Sequence, residues 1–347
     1  MDSVSAADVS EALKRIAYRL DLHPERRHQA RAFARAARIV KELPASELQA
    51  RCQKGTLTDL PGVGKVIAGV VAELVEGKEP DYLERLPAVA TRGQSLSDAG
   101  AAILQKLKGD CHVHSDWSDG GAPIEDMAAA AIEIGHDYIV LTDHSPTLTI
   151  AHGLDAGRLR AQLEIVRQLN ETLRPFRILT GIEVDILADG SLDQDAGLLA
   201  ELDVVVASVH SLLRQPASEL TPRLLKAIEN PHMDILGHCT GRLVTGRGRP
   251  QSSFDAAAVF EACAQRGVAV EINSRPERLD PPDDLLALAR DAGCRFAIDS
   301  DAHTPGQLAW QDNGAEIAVR GDLPADRIIN TLPADALLRL VNSAASS

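Results

Sequence analysis

The sequence predicts an α/β barrel of seven strand–helix units preceded by a small all-α region. Three observations predict it. Residues 4–50 are rich in Ala, Leu, Arg and Glu and hold no strand-like run. From Cys111 onward, short runs dense in Val, Ile and Leu alternate with longer amphipathic stretches, as buried parallel strands alternate with crossover helices. The charge divides at the same place. Residues 1–108 carry 17 Lys+Arg against 14 Asp+Glu, the remainder 19 against 36, within chain totals of 36 and 50. A chain of 347 residues holds both parts, because a barrel of this kind takes about 250 residues.

In the first part, "RRHQARAFARAARIV" spaces Arg27, Arg31, Arg35 and Arg38 by four, four and three. They share one helix face, and Phe33, Ala37 and Val40 turn elsewhere. Such a face is either plain solvated surface or a grip for phosphate. Next comes "LTDLPGVGKVIAGVVAEL", in which Pro61, Gly62 and Gly64 make a tight turn and Lys65 opens an apolar helix. The turn presents backbone N–H groups at a helix N-terminus, where an anion is favoured. Residues 88–108 read as a connector with one short helix, so the expected parts are 1–87, 88–108 and 109–347.

In the second part, strands are expected at 110–114, 138–143, 177–185, 203–209, 234–238, 268–273 and 295–300. Helices are expected at 122–135, 156–173, 254–266 and 283–292. Periodicity alone leaves an open sheet as the alternative to a barrel.

The strand ends carry the chemistry. They bring His112, His114 and Asp119, then Asp143 and His144, then Glu183 and Asp185. His210 follows the fourth strand, His238 and Arg242 the fifth, Glu271, Asn273 and Arg275 the sixth, and Asp299, Asp301 and His303 the last. In a parallel barrel all of these meet at one mouth, where active sites are built. His112 and His114, two apart, point to one face and can grip one ion together, as can Asp301 and His303. Imidazole nitrogen and carboxylate oxygen are usual ligands for Zn, Mn or Fe. A single strand-end histidine is more often structural, but six of the eleven histidines with three acids predict a metal site. His136 and His232 precede their strands, at the wrong end; His23 and His28 belong to the first part, and His152 lies in a loop.

Other features bound the function. No apolar run reaches the roughly 20 residues that span a bilayer. "MDSVSAADVS" lacks the basic and apolar regions of a signal peptide. The five cysteines are scattered without a CxxC pair, which predicts reduced thiols in the cytoplasm. An acidic body holds divalent cations and repels nucleic acid at long range, so attraction to phosphate is expected of the basic first part.

Residues 109–340 resemble the PHP (polymerase and histidinol phosphatase) family of metal-dependent phosphoesterases, above all the PHP domain of bacterial family X DNA polymerases. The likeness rests on "GIEVDILADGSLDQDAGLLAELDVVVASVHS" and on "GHCTGRLVTGRGRP", where Cys239 replaces a more usual proline. It implies a distorted (β/α)7 barrel with three divalent transition-metal ions. By motif, one ion falls to His112, His114, Glu183 and Asp301, a second to Asp119, His144 and His303, and a third to Glu183, His210 and His238. Residues 5–86 resemble the small helical domain of the same polymerases, with "LPGVGK" as a helix-hairpin-helix turn. The connector is too short for polymerase fingers and palm. Val70, Val66 and Gln29 stand where lyase-active relatives carry lysines, so a grip on DNA is expected without Schiff-base chemistry.

The expected activity is metal-assisted hydrolysis of a phosphoester at a DNA end or damage site: 3′–5′ exonuclease, 3′-phosphatase or abasic-site endonuclease. Arg242 or Arg275 is expected to grip a phosphoryl oxygen, beside Asp301 and His303. Arg27, Arg31, Arg35, Gly62, Gly64 and Lys65 are expected to hold DNA. The alternatives are a small-molecule phosphomonoesterase such as a histidinol phosphatase, and a non-catalytic DNA adaptor.

Overall fold

The structure, a computed structural model, describes residues 4–86, 93 and 96–345. The chain forms two compact units, Met1–Thr91 and Arg92–Ser347.

The first unit holds helices α1 (Ala6–Asp21), α2 (Arg27–Lys41), α3 (Ala45–Lys54), α4 (Lys65–Val75) and the single turn α5 (Asp81–Glu84). A reciprocal capping box of Ser5 and Asp8 starts α1. Its buried stripe Val9, Leu13, Ile16 and Leu20 follows helical spacing and packs in one core with Ala30, Phe33, Ala37 and Val40 of α2. Each of these larger apolar side chains contributes about 1.5–3 kcal/mol by leaving water. The Ser10 hydroxyl donates to the Ala37 carbonyl at 2.8 Å, so a buried polar group between the helices is paired.

The second unit opens with α6 (Asp98–Leu104), capped by Ser97. The Ser97 backbone and hydroxyl both donate to Glu316, at 2.6 and 2.9 Å. The expected connector is therefore divided. Residues 96–108 belong to the second unit and hold the expected helix, while 88–92, 94 and 95 lie outside the described residues.

Seven strands follow: β1 (Gly109–Val113), β2 (Tyr138–Leu141), β3 (Arg177–Asp185), β4 (Val204–Ser208), β5 (Ile235–Leu236), β6 (Ala269–Asn273) and β7 (Phe296–Asp299). They pair in parallel in chain order. Helices α7 (Ile124–Glu133), α8 (Ala156–Thr172), α9 (Ala196–Leu199), α10 (Ala217–Ile228), α11 (Ala256–Arg266), α12 (Asp283–Asp291), α13 (Gln311–Arg320) and α14 (Ala334–Ala345) complete the unit.

The sheet is a nearly closed barrel, which decides against the open sheet. Its seam between β1 and β7 lacks a regular ladder and is knit by other groups. Val113 and Ala302 form an isolated parallel bridge. The Asn330 amide donates to Gly109 and Ile298 carbonyls at 3.1 and 2.7 Å, and Gln311 donates to the same two at 3.1 and 2.8 Å. The lower interior is apolar: Cys111, Tyr138, Val140, Leu179, Val204, Val206, Ile235, Ala269 and Ala297 pack on Leu337 and Val341 of α14.

The same inward parity continues upward in polar residues. Glu183 and Asp185 extend the inward series of β3, Glu271 and Asn273 that of β6, and Asp299 that of β7. On β1 the parity breaks. Cys111 lies in the interior core while Val113 packs outward with Ala128 and Met127 of α7. A register shift between Asp110 and Val113 accounts for the change. That irregularity turns His112 inward directly after the inward Cys111, a use of bulges typical of active sites. Among the described residues no helix is long and apolar enough to cross a membrane.

Candidate metal centre

All nine expected ligands converge at the C-terminal mouth. Ligand atoms of His112, His114 and Asp301 lie within 4.8 Å of one another, as do those of His114, Asp119, His144 and His303, and those of His144, Glu183 and His210. Glu183 joins them at the centre. Its Oε2 is 3.3 Å from His112 Nε2, 3.6 Å from His114 Nε2 and 2.9 Å from His144 Nδ1. Its Oε1 is 3.2 Å from His210 Nε2 and 2.9 Å from His238 Nε2. Asp119 Oδ1 is 3.6 Å from His144 Nε2 and 3.3 Å from His303 Nε2. The expected sets thus come together, with His114 also beside the second and His144 also beside the third.

Local backbone features deliver these side chains. The loop carrying Asp119 folds around the buried Asp143 carboxylate, which accepts from Ser115 N–H, the Ser115 and Ser118 hydroxyls and the Gln162 amide. Gly120 passes so close to Ser115 that a Cβ would sit 2.5 Å from its carbonyl, so no other residue fits there. Asp301 follows β7 with φ of 53°, a left-handed turn that aspartate tolerates better than most side chains.

A second layer fixes the rings. Glu271 accepts from His112 Nδ1 at 2.6 Å and from the His238 backbone N–H. Asp185 accepts from His210 Nδ1 at 2.8 Å and from its backbone N–H at 3.2 Å. His303 Nδ1 lies 2.9 Å from the Asp301 carbonyl and 3.1 Å from the Arg275 guanidinium. Because carboxylates only accept, His112 and His210 each carry a proton on Nδ1, and Nε2 of each faces the centre. Asn273 donates to Glu271 and Asp301, both at 3.2 Å, tying two carboxylates together. Arg275 donates to Asp301 Oδ1 at 3.2 Å, and Arg278 lies 3.3 Å from Oδ2.

The surrounding charges divide the rings into two kinds. Burial, with the nearby His303, His144 and His112, holds His114 well below the usual imidazole range. Burial and the charge of Arg278 lower His238. Burial opposes charge on His112 too, yet Glu271 and Glu183 outweigh it and hold that ring well above its ordinary value. In the same way Glu183 and Asp185 overcome burial and push His210 up to about 9. The histidines overcome the burial of Glu183 and keep it ionised; for Asp301, Arg275 is the largest of the groups that do so.

The donor set fits divalent cations. His112 Nε2, both nitrogens of His114, His144 Nδ1, His238 Nδ1 and Asp119 Oδ1 are buried without a hydrogen-bond partner among the described residues. Several stand within 3.6 Å of a carboxylate oxygen, but not in hydrogen-bond alignment. An unpaired buried polar group costs about 1–3 kcal/mol. Converging lone pairs of this kind match an ion between them rather than a hydrogen bond across the gap.

Two sequence expectations meet different surroundings. Arg275 stands beside Asp301 and His303, over the Trp310 ring at 5.8 Å. Arg242 instead donates through Nε to the Arg278 carbonyl at 3.0 Å and through its terminal nitrogen to the Leu279 carbonyl. It therefore braces the loop that carries Arg278, and its hydrogen bonds go to backbone rather than to the histidine cluster. Glu271, Asp185 and Asn273 were visible at strand ends, but that the two acids hold rings and Asn273 ties carboxylates was not; inward parity on strands of Val and Ile was the available signal. Arg278 was missed altogether. His136 and His232 precede β2 and β5, away from the mouth.

In the first unit, Arg31, Arg35 and Arg38 are exposed and Arg27 is half-buried. Gly62 has φ of 93°, and a Cβ there would meet Arg35 Cδ at 2.7 Å. The arginine face therefore adjoins the hairpin turn. Gly64 caps α4 without a side-chain hydrogen bond, and Lys65 is exposed. Val66 is 59% exposed, and Val70 is buried.

Residues 110–275 match the PHP domain and residues 5–80 the helix-hairpin-helix domain. The chain is 39% identical over 248 residues to a Bacillus subtilis protein named DNA polymerase/3′-5′ exonuclease PolX, covering 70% of this chain and 43% of that one. The chain thus spans less than half of that relative. It is 30% identical over 239 residues to a probable phosphatase of Thermoanaerobacter, covering 65% of this chain and 91% of that one. Among solved structures, a histidinol phosphate phosphatase from Lactococcus lactis matches at 19% identity and a TM-score of 0.44, covering 62% of this chain and 94% of that one.

Proposed function

The chain belongs to the PHP-domain family of phosphoesterases, and from that premise we propose that it hydrolyses phosphoesters at DNA 3′ ends or damage sites, as a 3′–5′ exonuclease, 3′-phosphatase or abasic-site endonuclease. The observation that carries this reading is one chain holding both a nine-ligand mouth and a helix-hairpin-helix unit with exposed arginines beside its turn. The identity with a relative named as a 3′-5′ exonuclease supports it.

We assign His112, His114, Glu183 and Asp301 to one divalent ion, Asp119, His144 and His303 to a second, and Glu183, His210 and His238 to a third. Such ions, Zn, Mn or Fe, supply Lewis-acid polarisation and a nucleophilic water at neutral pH. The chain's own residues do the rest. Glu271 and Asp185 hold the rings of His112 and His210 in the ligating tautomer. Arg275 neutralises Asp301 and is near enough to the mouth to meet a phosphoryl oxygen. The first unit, through Arg27, Arg31, Arg35, Gly62, Gly64 and Lys65, holds the DNA backbone.

A second reading, hydrolysis of a small phosphomonoester, is favoured by the relatives named as probable phosphatases. A single assay separates the two. The purified chain is given 3′-labelled single-stranded DNA, abasic-site duplex and histidinol phosphate, with and without chelator. Chelator-sensitive cleavage of DNA is expected. Turnover of histidinol phosphate alone would refute the reading.

A further inference from the structure

Between His238 and Pro250 the sequence reads HCTGRLVTGRGRP, with three arginines and no acid, inside a unit that is otherwise acidic. Its centre is a short hairpin. Leu243 and Arg249 exchange backbone hydrogen bonds, both 2.9 Å, and Gly248 N–H closes the turn on the Thr245 carbonyl at 3.1 Å. Gly246 and Gly248, with φ of 66° and 65°, give the turn the left-handed positions it needs.

The hairpin stands on the metal centre. Gly241 N–H donates to the His238 carbonyl at 2.8 Å, and Arg249 Nε donates to the Gly241 carbonyl at 2.6 Å. Val244 N–H donates to the Glu277 carbonyl at 2.7 Å, in the loop that sends Arg275 and Arg278 to Asp301. Positive groups therefore run outward from the centre: Arg278 beside Asp301, then half-buried Arg249, whose charge burial and then Arg278 oppose, then exposed Arg247 at the tip. Arg247 makes no hydrogen bond or ion pair among the described residues, and Val244 beside it is 49% exposed.

We infer that the Leu243–Arg249 hairpin is a track for the phosphate backbone of a single polynucleotide strand, holding phosphates next to the one being hydrolysed. This rests on the polynucleotide reading above. The Leu243–Arg249 pair closes a five-residue loop that carries Arg247. Exposed Arg247 is placed there to meet a phosphate beyond the one at the mouth. A small phosphomonoester has no phosphate to meet there, so the hairpin sets substrate class.

The test uses the full chain with Arg247→Glu, Arg247→Lys and, as a remote charge reversal, Arg177→Glu, whose arginine starts β3 at the end opposite the mouth and pairs with Asp335 of α14. Each protein is given a 3′-labelled oligothymidylate and p-nitrophenyl phosphate from 25 to 200 mM salt. The ratio of kcat/KM for the oligonucleotide over the small ester should fall about tenfold in Arg247→Glu, mainly through KM, and recover in Arg247→Lys. The slope of log KM against log salt should become shallower by about 0.7 per lost phosphate contact. Arg177→Glu should match wild type. An Arg247→Glu variant with the wild-type ratio and slope overturns the track alone. A wild type that cuts no oligonucleotide overturns both the track and the polynucleotide reading.

Discussion

Glu271 holds His112 from behind: its Oε1 lies 2.6 Å from His112 Nδ1, while its Oε2 accepts the His238 backbone N–H. One carboxylate outside the ligand set thus aligns ligands from two strands. Glu271→Gln keeps the size but replaces one acceptor oxygen with a donor, which faces a donor on one side or the other. Partners of this kind change metal affinity by about 10–100-fold. Wild-type protein should retain two or three transition-metal ions per chain by elemental analysis, and Glu271→Gln fewer after the same dialysis. Equal metal content would show that the contact does not tune the site.

Asp301→Ala and His210→Ala should each remove most hydrolysis, while His232→Ala should not. The first two take away groups at the mouth, one 3.5 Å from His114 Nε2 and the other 3.2 Å from Glu183. His232 precedes β5, at the opposite end of its strand. Rates for the three variants, with circular dichroism to confirm folding, decide the matter. Equal activity in all three would contradict the assignment.

Much of this was legible in the sequence because strand ends in a parallel barrel share one mouth. Once β3 was placed from its Val and Ile alternation, the positions of Glu183 and Asp185 followed. The pair His112 and His114 was less secure. Their shared side depends on period two, but their inward direction depends on the irregularity between Asp110 and Val113, which leaves no compositional mark. Barrel closure was hidden as well. It rests on the side-chain amides of Gln311 and Asn330 reaching across the seam, and long-range side-chain bonds have no periodicity to read. The bracing contacts of Arg242 were hidden for a related reason: an arginine near a phosphate site and an arginine bracing carbonyls look alike until the loop at Arg278 and Leu279 is placed.

Asp234 provides a pH test of the barrel itself. Desolvation pushes its carboxyl up to about 7, opposed only by the Val205 N–H. The unfolded value is near 3.9. The folded state therefore binds the extra proton, so this contribution to stability is present below about pH 4 and is lost as pH rises through 7. Asp234→Asn keeps an acceptor for Val205 and has no charge to bury. Because the residue is only half-buried, solvent limits the effect to about 1–2 kcal/mol. Calorimetry should find the variant melting several degrees above wild type at pH 8 and close to it at pH 5. A difference independent of pH would show that the carboxylate is not desolvated.

The two units should also separate by substrate. Deleting residues 1–91 removes one compact unit and leaves α6 whole, whereas a cut after residue 100 would pass through that helix. If the arginine face beside Gly62 holds DNA, the shortened protein should keep its metals and its rate on p-nitrophenyl phosphate. Its cleavage of DNA should fall sharply, because the remaining unit is strongly acidic and repels the backbone. In the full chain, DNA binding should weaken about 10²–10³-fold from low to physiological salt, as each neutralised phosphate releases counterions. After the deletion that dependence should flatten to whatever the barrel itself contributes. Activity on both substrates, measured across a salt series with metal content as the control for folding, separates the possibilities. A shortened protein that cuts DNA as well as the full chain, with the same salt slope, would show that the helix-hairpin-helix unit is not the grip.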